Sequence, residues 1–203
     1  GCRLVRSEEE LRPAVSCAIN NSRTKKAIFE DYMEGAEFSI DALIYNGTFT
    51  VTGFADRHIY YPPYFIETGH TMPSAADSKI KNELIATFAL GAKALGLTQG
   101  VAKADIKYTK NGPMIGEIAA RLSGGYMSGW TFPLSSGCFL TKEALKISVG
   151  MEPDYILENR KKIEWKPHPS VKNSVQPFEL YELESKNVSA ERAWLSIPGK
   201  IAE

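Results

Sequence analysis

Hydrophobic positions along the chain follow two rhythms, a period of two and a period near 3.6, and these divide it into strands and helices. Gly1 to Val5 reads as a short strand. Ser7 with Glu10 three residues later is a capping-box signal. It opens a helix to about Asn20, with Leu11, Val15 and Ile19 on one stripe and Pro13 in the second turn. Residues 27–33 read as a buried strand. From Glu37 to Tyr45, Phe38, Ile40, Ala42 and Ile44 alternate with Glu37, Ser39 and Asp41, the pattern of a strand with one polar face. Asn46-Gly47 is a hairpin turn, and Phe49 to Ala55 returns. Residues 56–73 carry Tyr60, Tyr61, Pro62, Pro63, Tyr64 and Phe65 and are expected to form a long connection, a length usually kept for function.

Ser74 and Asp77 start the longest helix, which ends near Gly96 and shows Ile80, Leu84, Phe88 and Leu95 on its apolar face. A hairpin is expected over 100–120, then a flexible loop from Leu122 to Gly125. A helix from about Thr141 to Val149 stops at Gly150. Pro167, Pro169 and Pro177 interrupt short extended stretches over 163–183, and residues 193–200 look like a strand running into a turn. The fold class is α+β, an antiparallel sheet flanked by helices.

Composition narrows the classes of function. The chain has 203 residues, 43% of them hydrophobic and 24% charged, as in a soluble globular protein. Lys plus Arg and Asp plus Glu are 24 each, so no net field favours nucleic acid or an acidic membrane. No apolar run approaches the ~20 residues of a membrane span, and the first residues are not expected to act as a signal peptide. Cys2, Cys17 and Cys138 read as reduced thiols, which points to the cytoplasm. His58, His70 and His168 are too dispersed for a zinc motif, and His58 and His168 read as structural or surface residues. Trp130, Trp165 and Trp194 read as packing residues.

The chemistry concentrates on the 100–120 hairpin. A turn centred on Asn111 would set residue 109 against 113, 107 against 115, and Asp105 against Glu117. Both carboxylates would then share one face with β-carbons ~5 Å apart, and like charges so placed destabilise a sheet. A positive group should lie between them, and hard oxygen ligands suit Mg²⁺ or Mn²⁺. Arg121 extends the same face. The alternative is one carboxylate in solvent and the other paired with Lys103, Lys107 or Arg121.

A second stretch runs from Ile28 to Asp41. An extended segment ending in Gly35 offers backbone groups to a planar heterocycle. Glu30 could accept from an exocyclic amine, Met33 could cover a ring, and Glu37 could accept from two ribose hydroxyls. The alternative is an edge strand with solvated acids.

With these residues in place the chain resembles the ATP-grasp superfamily over about residues 1–150. The family pattern is a strand with Glu and Tyr, then Gly-x-Glu, then two metal-binding acids about a dozen residues apart, then Arg four residues on. Phe29-Glu30-Asp31-Tyr32-Met33, Gly35-Ala36-Glu37, Asp105, Glu117 and Arg121 fill those places in order. The resemblance implies that Glu30 and the backbone of Asp31, Tyr32 and Met33 hold adenine and that Glu37 holds ribose. It implies that Asp105 and Glu117 bind Mg²⁺ on the triphosphate of ATP and that Arg121 steadies an acyl phosphate. Among members, it is nearest to L-amino-acid ligases, the large subunit of carbamoyl-phosphate synthase, and biotin carboxylase.

Two positions depart from the pattern. Ala119 stands where many members carry Asn, a further metal or phosphate ligand; small residues occur there in the purine-pathway members. Lys107 replaces an apolar floor under adenine; its stem could cover the ring or its ammonium could reach a phosphate. Within the 56–73 connection, Asp56-Arg57 and Glu67-Thr68-Gly69-His70 are the polar points. Glu67-x-x-His70 resembles the substrate-side loop of L-amino-acid ligases, where a His beside a carboxylate could deprotonate an incoming amine or orient an acyl phosphate. The alternative is that the two residues hold the loop.

The domains expected are a remnant of the ATP-grasp lid at 1–26, the nucleotide- and metal-binding subdomain at 27–162, and a small, truncated C-terminal β element at 163–203. Gly1 to Val5 resembles the segment just after the lid's Gly-rich phosphate loop, so that loop, the family's lysines and the N-terminal domain are expected to lie upstream. The resemblance implies an ATP-dependent ligase forming C–N bonds through an acyl phosphate, this fragment itself being inactive. Its partners would be ATP, a small carboxylate, an amine and the missing N-terminal part, a homodimer being one open possibility for the assembly. The alternative is a nucleotide-binding or regulatory module that kept the fold without catalysis.

Overall fold

Strand β1, Gly35–Tyr45, organises the structure, a computed structural model that describes residues 1–154, 160–164, 168–170, 176, 178–183, 190–193, 195–197 and 200–202. Its alternation is realised as two faces. Phe38, Ile40, Ala42 and Ile44 enter the main core, while Glu37, Ser39 and Asp41 take the other side. β1 is flanked by β2, Thr48–Tyr60, and by β4, Gly100–Thr109, both antiparallel. β5, Gly112–Ala119, closes one edge beside β4. β3, Ile66–Met72, pairs with the end of β2. The first half of β2 runs parallel to β7, Glu179–Leu183, which pairs in turn with β6, Arg160–Lys162. β8, Ala190–Ala193, lies beyond β3. The eight strands form one sheet, and β9, Leu195–Ile197, pairs separately with β10, Lys200–Ala202.

Helix α2, Ser78–Ala94, covers the apolar face. Leu84, Ile85, Phe88, Ala89 and Ala92 bury against the sheet, and the Phe88 ring stands edge-on to Phe49 at 5.0 Å. Asp77 caps it, its carboxylate accepting from the Ile80 N–H at 2.9 Å. Gly91 lets β5 approach, because a β-carbon there would meet both Ile115 and Ile118. Helix α1, Glu8–Asn21, lies at the start of the chain. Its capping box is shifted by one residue: Ser7 makes no side-chain cap, and Glu10 accepts from the Arg6 N–H at 2.9 Å.

Three expectations are corrected. Residues 27–33 are not a strand: Ile28, Phe29 and Tyr32 are exposed, and regular pairing begins at Gly35. Residues 56–73 are not one long loop. β2 runs on to Tyr60 and β3 returns from Ile66, so the connection is only 61–65. A register shift between His58 and Ile59 breaks the alternation and hid this pairing. The 122–125 loop is not loose: it leads into a π-helical turn, Met127–Thr131, and helix α3, Phe132–Ser136. Met127 and Phe132 bury on the other sheet face with Ala55, Met72 and Leu140, the first residue of helix α4, Leu140–Ser148. Residues 165 and 194, two of the tryptophans read as packing residues, lie outside the described residues, as do Pro167 and Pro177.

Gly53 on β2 fixes how α3 meets the sheet, since a β-carbon there would sit 2.3 Å from the Phe132 ring. Overpacking of this kind costs ~2 kcal/mol. We expect Gly53→Ala to lower stability by about that much in urea denaturation; an unchanged midpoint would show that α3 can move aside.

Candidate functional site

The sheet face opposite α2 collects the charged residues. Register places Glu37, Ser39 and Asp41 of β1 beside Lys107, Asp105 and Lys103 of β4. Asp105 then stands opposite Glu117 of β5, as the sequence suggests, but by a different route. The turn holds two residues, with Thr109 opposite Gly112 and the positive φ (+97°) on Gly112 and not on Asn111. The ladder then slips between Asp105 and Ile106, leaving Gly116 as the extra residue of a bulge. The two one-residue offsets cancel. Because of the bulge, Ile115 and Ile118 both reach α2 although three residues apart, and Glu117 faces the polar side.

A positive group does lie between the acids. Lys103 Nζ is 2.5 Å from Asp105 Oδ2 and 3.4 Å from Glu117 Oε1. Arg57, on the extension of β2, is the hub of the neighbouring cluster. Its Nη1 lies 2.6 Å from Glu37 and 3.2 Å from Asp105, and its Nε–H donates to Glu67 at 2.8 Å. Burial pulls the Arg57 pKa down, but Asp105, Glu67 and Glu37 together raise it above its ordinary value. Burial likewise pushes the Asp105 carboxyl up. The Lys103 hydrogen bond, the Arg57 charge and the Ser39 hydroxyl at 2.7 Å outweigh it and hold that carboxyl below the usual range.

His70 lies behind this cluster on β3, only 2% exposed, with Nε2 3.3 Å from Glu67 Oε1. Its buried Nδ1 has no hydrogen-bond partner among the described residues. Burial, only partly offset by Glu67, lowers its pKa. Arg121 is half in solvent, 3.3 Å from Glu117 and donating to the Leu122 carbonyl at 3.1 Å. Lys107 does not lie free over the sheet. Its Nζ donates to the Met33 carbonyl at 3.2 Å, stands 3.2 Å from Glu37 Oε2, and lies 5.2 Å from the centre of the Tyr32 ring. It thereby ties residues 32–33 to the charged face. Glu30 and Asp31 remain exposed and are not drawn into the cluster.

Asp41 is completely buried under the segment that comes after Arg121. It accepts from the Ser123 hydroxyl at 2.5 Å, from the Ser123 N–H at 3.3 Å, and from the Ser128 hydroxyl. Sequence reasoning passed over Asp41, Lys103 and Ser39 as site residues and placed Arg57 in a loop. The available signal was parity: Ser39 and Asp41 share the face of Glu37, and Lys103 shares that of Asp105. Among the described residues no group of three or more His, Cys, Asp or Glu side chains could hold a metal ion alone. The Asp105–Glu117 pair is a two-ligand set of hard oxygens, with a cation already between them, and this donor set fits a divalent ion whose other ligands come from elsewhere. No helix among the described residues is long and apolar enough to cross a membrane.

One face of this sheet is covered by α2 and the other carries the opposed, lysine-bridged acids, and the chain belongs to the ATP-grasp domain family, whose model matches residues 5–129. Carnosine synthase 1 of Gallus gallus is 27% identical over 123 residues, 61% of this chain and 13% of that protein. The fold is similar to that of the L-amino acid ligase from Bacillus licheniformis, with a TM-score of 0.64, 23% identity, and 72% of this chain against 36% of that one. It is also similar to the biotin carboxylase domain of Hydrogenobacter thermophilus 2-oxoglutarate carboxylase, solved with MgADP and bicarbonate, at a TM-score of 0.62, 17% identity, and coverage of 75% and 34%. The chain therefore spans only a minor part of the length of the proteins it matches.

Proposed function

We propose that this chain is the metal- and nucleotide-binding part of an ATP- and Mg²⁺-dependent ligase that activates a carboxylate for attack by an amine. The observation that carries this reading is the pairing of Asp105 with Glu117 on the charged face of an ATP-grasp sheet. Asp105 and Glu117 would hold Mg²⁺, or Mn²⁺ in its place. A bound divalent ion there would neutralise charge on the triphosphate. Tyr32 and Met33, tethered by Lys107, would meet adenine with Glu30 and Asp31 beside them, and Glu37 would accept from the ribose hydroxyls.

The carboxylate oxygen of the substrate attacks the γ-phosphorus of ATP, the bond to the bridging oxygen breaks, and ADP leaves with the electron pair. Arg121 would donate to the transferred group and stabilise its charge, a role supported by its position 3.3 Å from Glu117. The amine nitrogen then attacks the acyl carbon, inorganic phosphate departs, and the amine gives up a proton. Glu67 is one-third exposed where His70 is 2% exposed. We therefore assign contact with the amine to Glu67, and to His70 the positioning of Glu67. The protein's contribution is orientation and fixed charge.

A second reading, a nucleotide-binding module without turnover, is favoured by Ala119, which faces Lys103 where a further oxygen ligand would serve catalysis. Calorimetric titration of ATP with and without Mg²⁺ tests the first. ATP should bind weakly, more tightly with Mg²⁺, and about tenfold or more weaker in Asp105→Asn, a loss of ~1.4 kcal/mol. Unchanged Mg·ATP affinity in that variant would remove the metal assignment. Because this part alone is expected to be inactive, turnover is assayed in the whole protein: nucleotide bound there with Mg²⁺ but never converted to ADP in the presence of amino acids would favour the second reading.

A further inference from the structure

Lys103 is part of no expectation about nucleotide or substrate, yet it holds the centre of the acid pair. It precedes Asp105 by two positions on β4, so its side chain shares that face, and the residue is only 7% exposed. Its Nζ reaches both acids, at 2.5 Å and 3.4 Å. The remaining capacity of Asp105 is also engaged, Oδ2 by Arg57 at 3.2 Å and Oδ1 by the Ser39 hydroxyl at 2.7 Å. A cation approaching Asp105 and Glu117 thus meets an ammonium tethered at the point where their oxygens converge.

We propose that Lys103 is a built-in counter-ion that competes with the divalent cation for the Asp105–Glu117 pair, so that the protein holds metal poorly until a polyphosphate arrives with it. The proposal rests on the reading of those two acids as metal ligands. Its physical basis is the tether. The ammonium is present at a high effective concentration, as an intramolecular ligand is. A doubly charged ion gains more from two carboxylates than the lysine does, but it must also compensate the loss of the ammonium's partners. A phosphate oxygen beside the metal would supply a new partner for Nζ, which sits on a flexible stem and behaves as a mobile point charge. Metal and nucleotide would then enter together, and free Mg²⁺ would leave the resting pair undisturbed.

The test uses Mn²⁺ alone, followed by electron paramagnetic resonance, with no nucleotide present. Lys103→Met should bind one Mn²⁺ roughly tenfold more tightly than the unaltered chain, a gain of ~1.4 kcal/mol. Lys103→Arg should stay weak. Glu117→Gln added to Lys103→Met should abolish the gain. Asp105 keeps Arg57 and Ser39 in these variants, and Lys103→Gln gives the same reading if the methionine variant fails to fold. If Lys103→Met binds no tighter while Glu117→Gln still weakens the unaltered chain, the counter-ion role is overturned and the metal reading stands. A gain that survives Glu117→Gln puts the metal elsewhere and overturns both. No Mn²⁺ bound by Lys103→Met or Lys103→Gln also overturns the proposal.

Discussion

Replacing Arg57 by Met should destabilise the chain by about 3 kcal/mol at neutral pH, the scale on which removing one partner of a buried ion pair acts. The guanidinium is mostly buried and serves three carboxylates, Glu37, Glu67 and Asp105. Two of these keep a second cation, Lys107 for Glu37 and Lys103 for Asp105, while among the described residues Glu67 keeps only the imidazole of His70. Without Arg57 three acids crowd one face with too little positive charge. The loss should depend on pH. Asp105 is held below its ordinary pKa, so it contributes stability that is present above the unfolded value and is lost as pH falls through the folded one. Removing Arg57 removes part of that contribution, so the gap between unaltered and variant chains should narrow as pH falls below the ordinary carboxylate value of 3.8. Urea denaturation at pH 7 and in that acid range measures both effects. A gap of the same size at each pH would mean that Arg57 acts through packing of its stem and not through its charge.

Asp41 should produce the opposite slope. Burial lifts its carboxyl to about 6, against the bonds from Ser123 and Ser128 and the charge of Lys103, which lower it. Between the unfolded value near 3.8 and that folded value, the native chain binds more protons than the unfolded one. Stability from this group is therefore greatest at low pH and falls as pH rises through the window. The difference of about two pH units corresponds to ~3 kcal/mol. Asp41→Asn should flatten this component: from pH 4 to 7 the unaltered chain should lose about that much relative to the variant. Denaturation midpoints across the window give the comparison, and parallel curves would remove Asp41 as the source. The charged group facing Asp41 from the neighbouring strand is Lys103, and the other partners are neutral hydroxyls and an amide. The consequence for the site is local, because Asp41 pins Ser123 and Ser128 just after Arg121.

Much of this arrangement can be read in the chain, and its gaps have physical causes. The alternation of Phe38 to Ile44 and the Asn46-Gly47 turn are local signals, and the structure follows them; of Ser74 and Asp77 it is Asp77 that caps the helix, which starts at Ser78 and not at Ser74. Residues 27–33 show why apolar content alone misleads: Ile28, Phe29 and Tyr32 are apolar enough for a strand, but pairing starts only at Gly35. At Gly35 a β-carbon would strike the Tyr108 carbonyl oxygen at 2.2 Å, so glycine lets the chain enter the ladder there. β3 was hidden because Gly69 and the bulge near His58 interrupt its rhythm. Arg57 as hub was illegible for the same reason, since its three partners come from three strands. The π-helical turn at Met127–Thr131 has no simple sequence signature, and its position depends on the buried Asp41 beneath it.

The bulge at Gly116 bears on how this site can drift over evolutionary time. The face that Glu117 takes is set by its partner in the ladder, not by how many residues separate it from Asp105. Insertions at Lys110-Asn111 can therefore accumulate without disturbing the opposed acids. Gly116 is spare in the same sense: without it, Ile115 and Glu117 become neighbours and can keep Ile106 and Asp105 as their partners. The geometry therefore predicts that the number of residues between the acids can vary among descendants of this hairpin, so long as Asp105 and Glu117 keep each other as partners. A chain that has abandoned the paired acids shows it by substitution at Asp105 or Glu117, whatever the spacing between them.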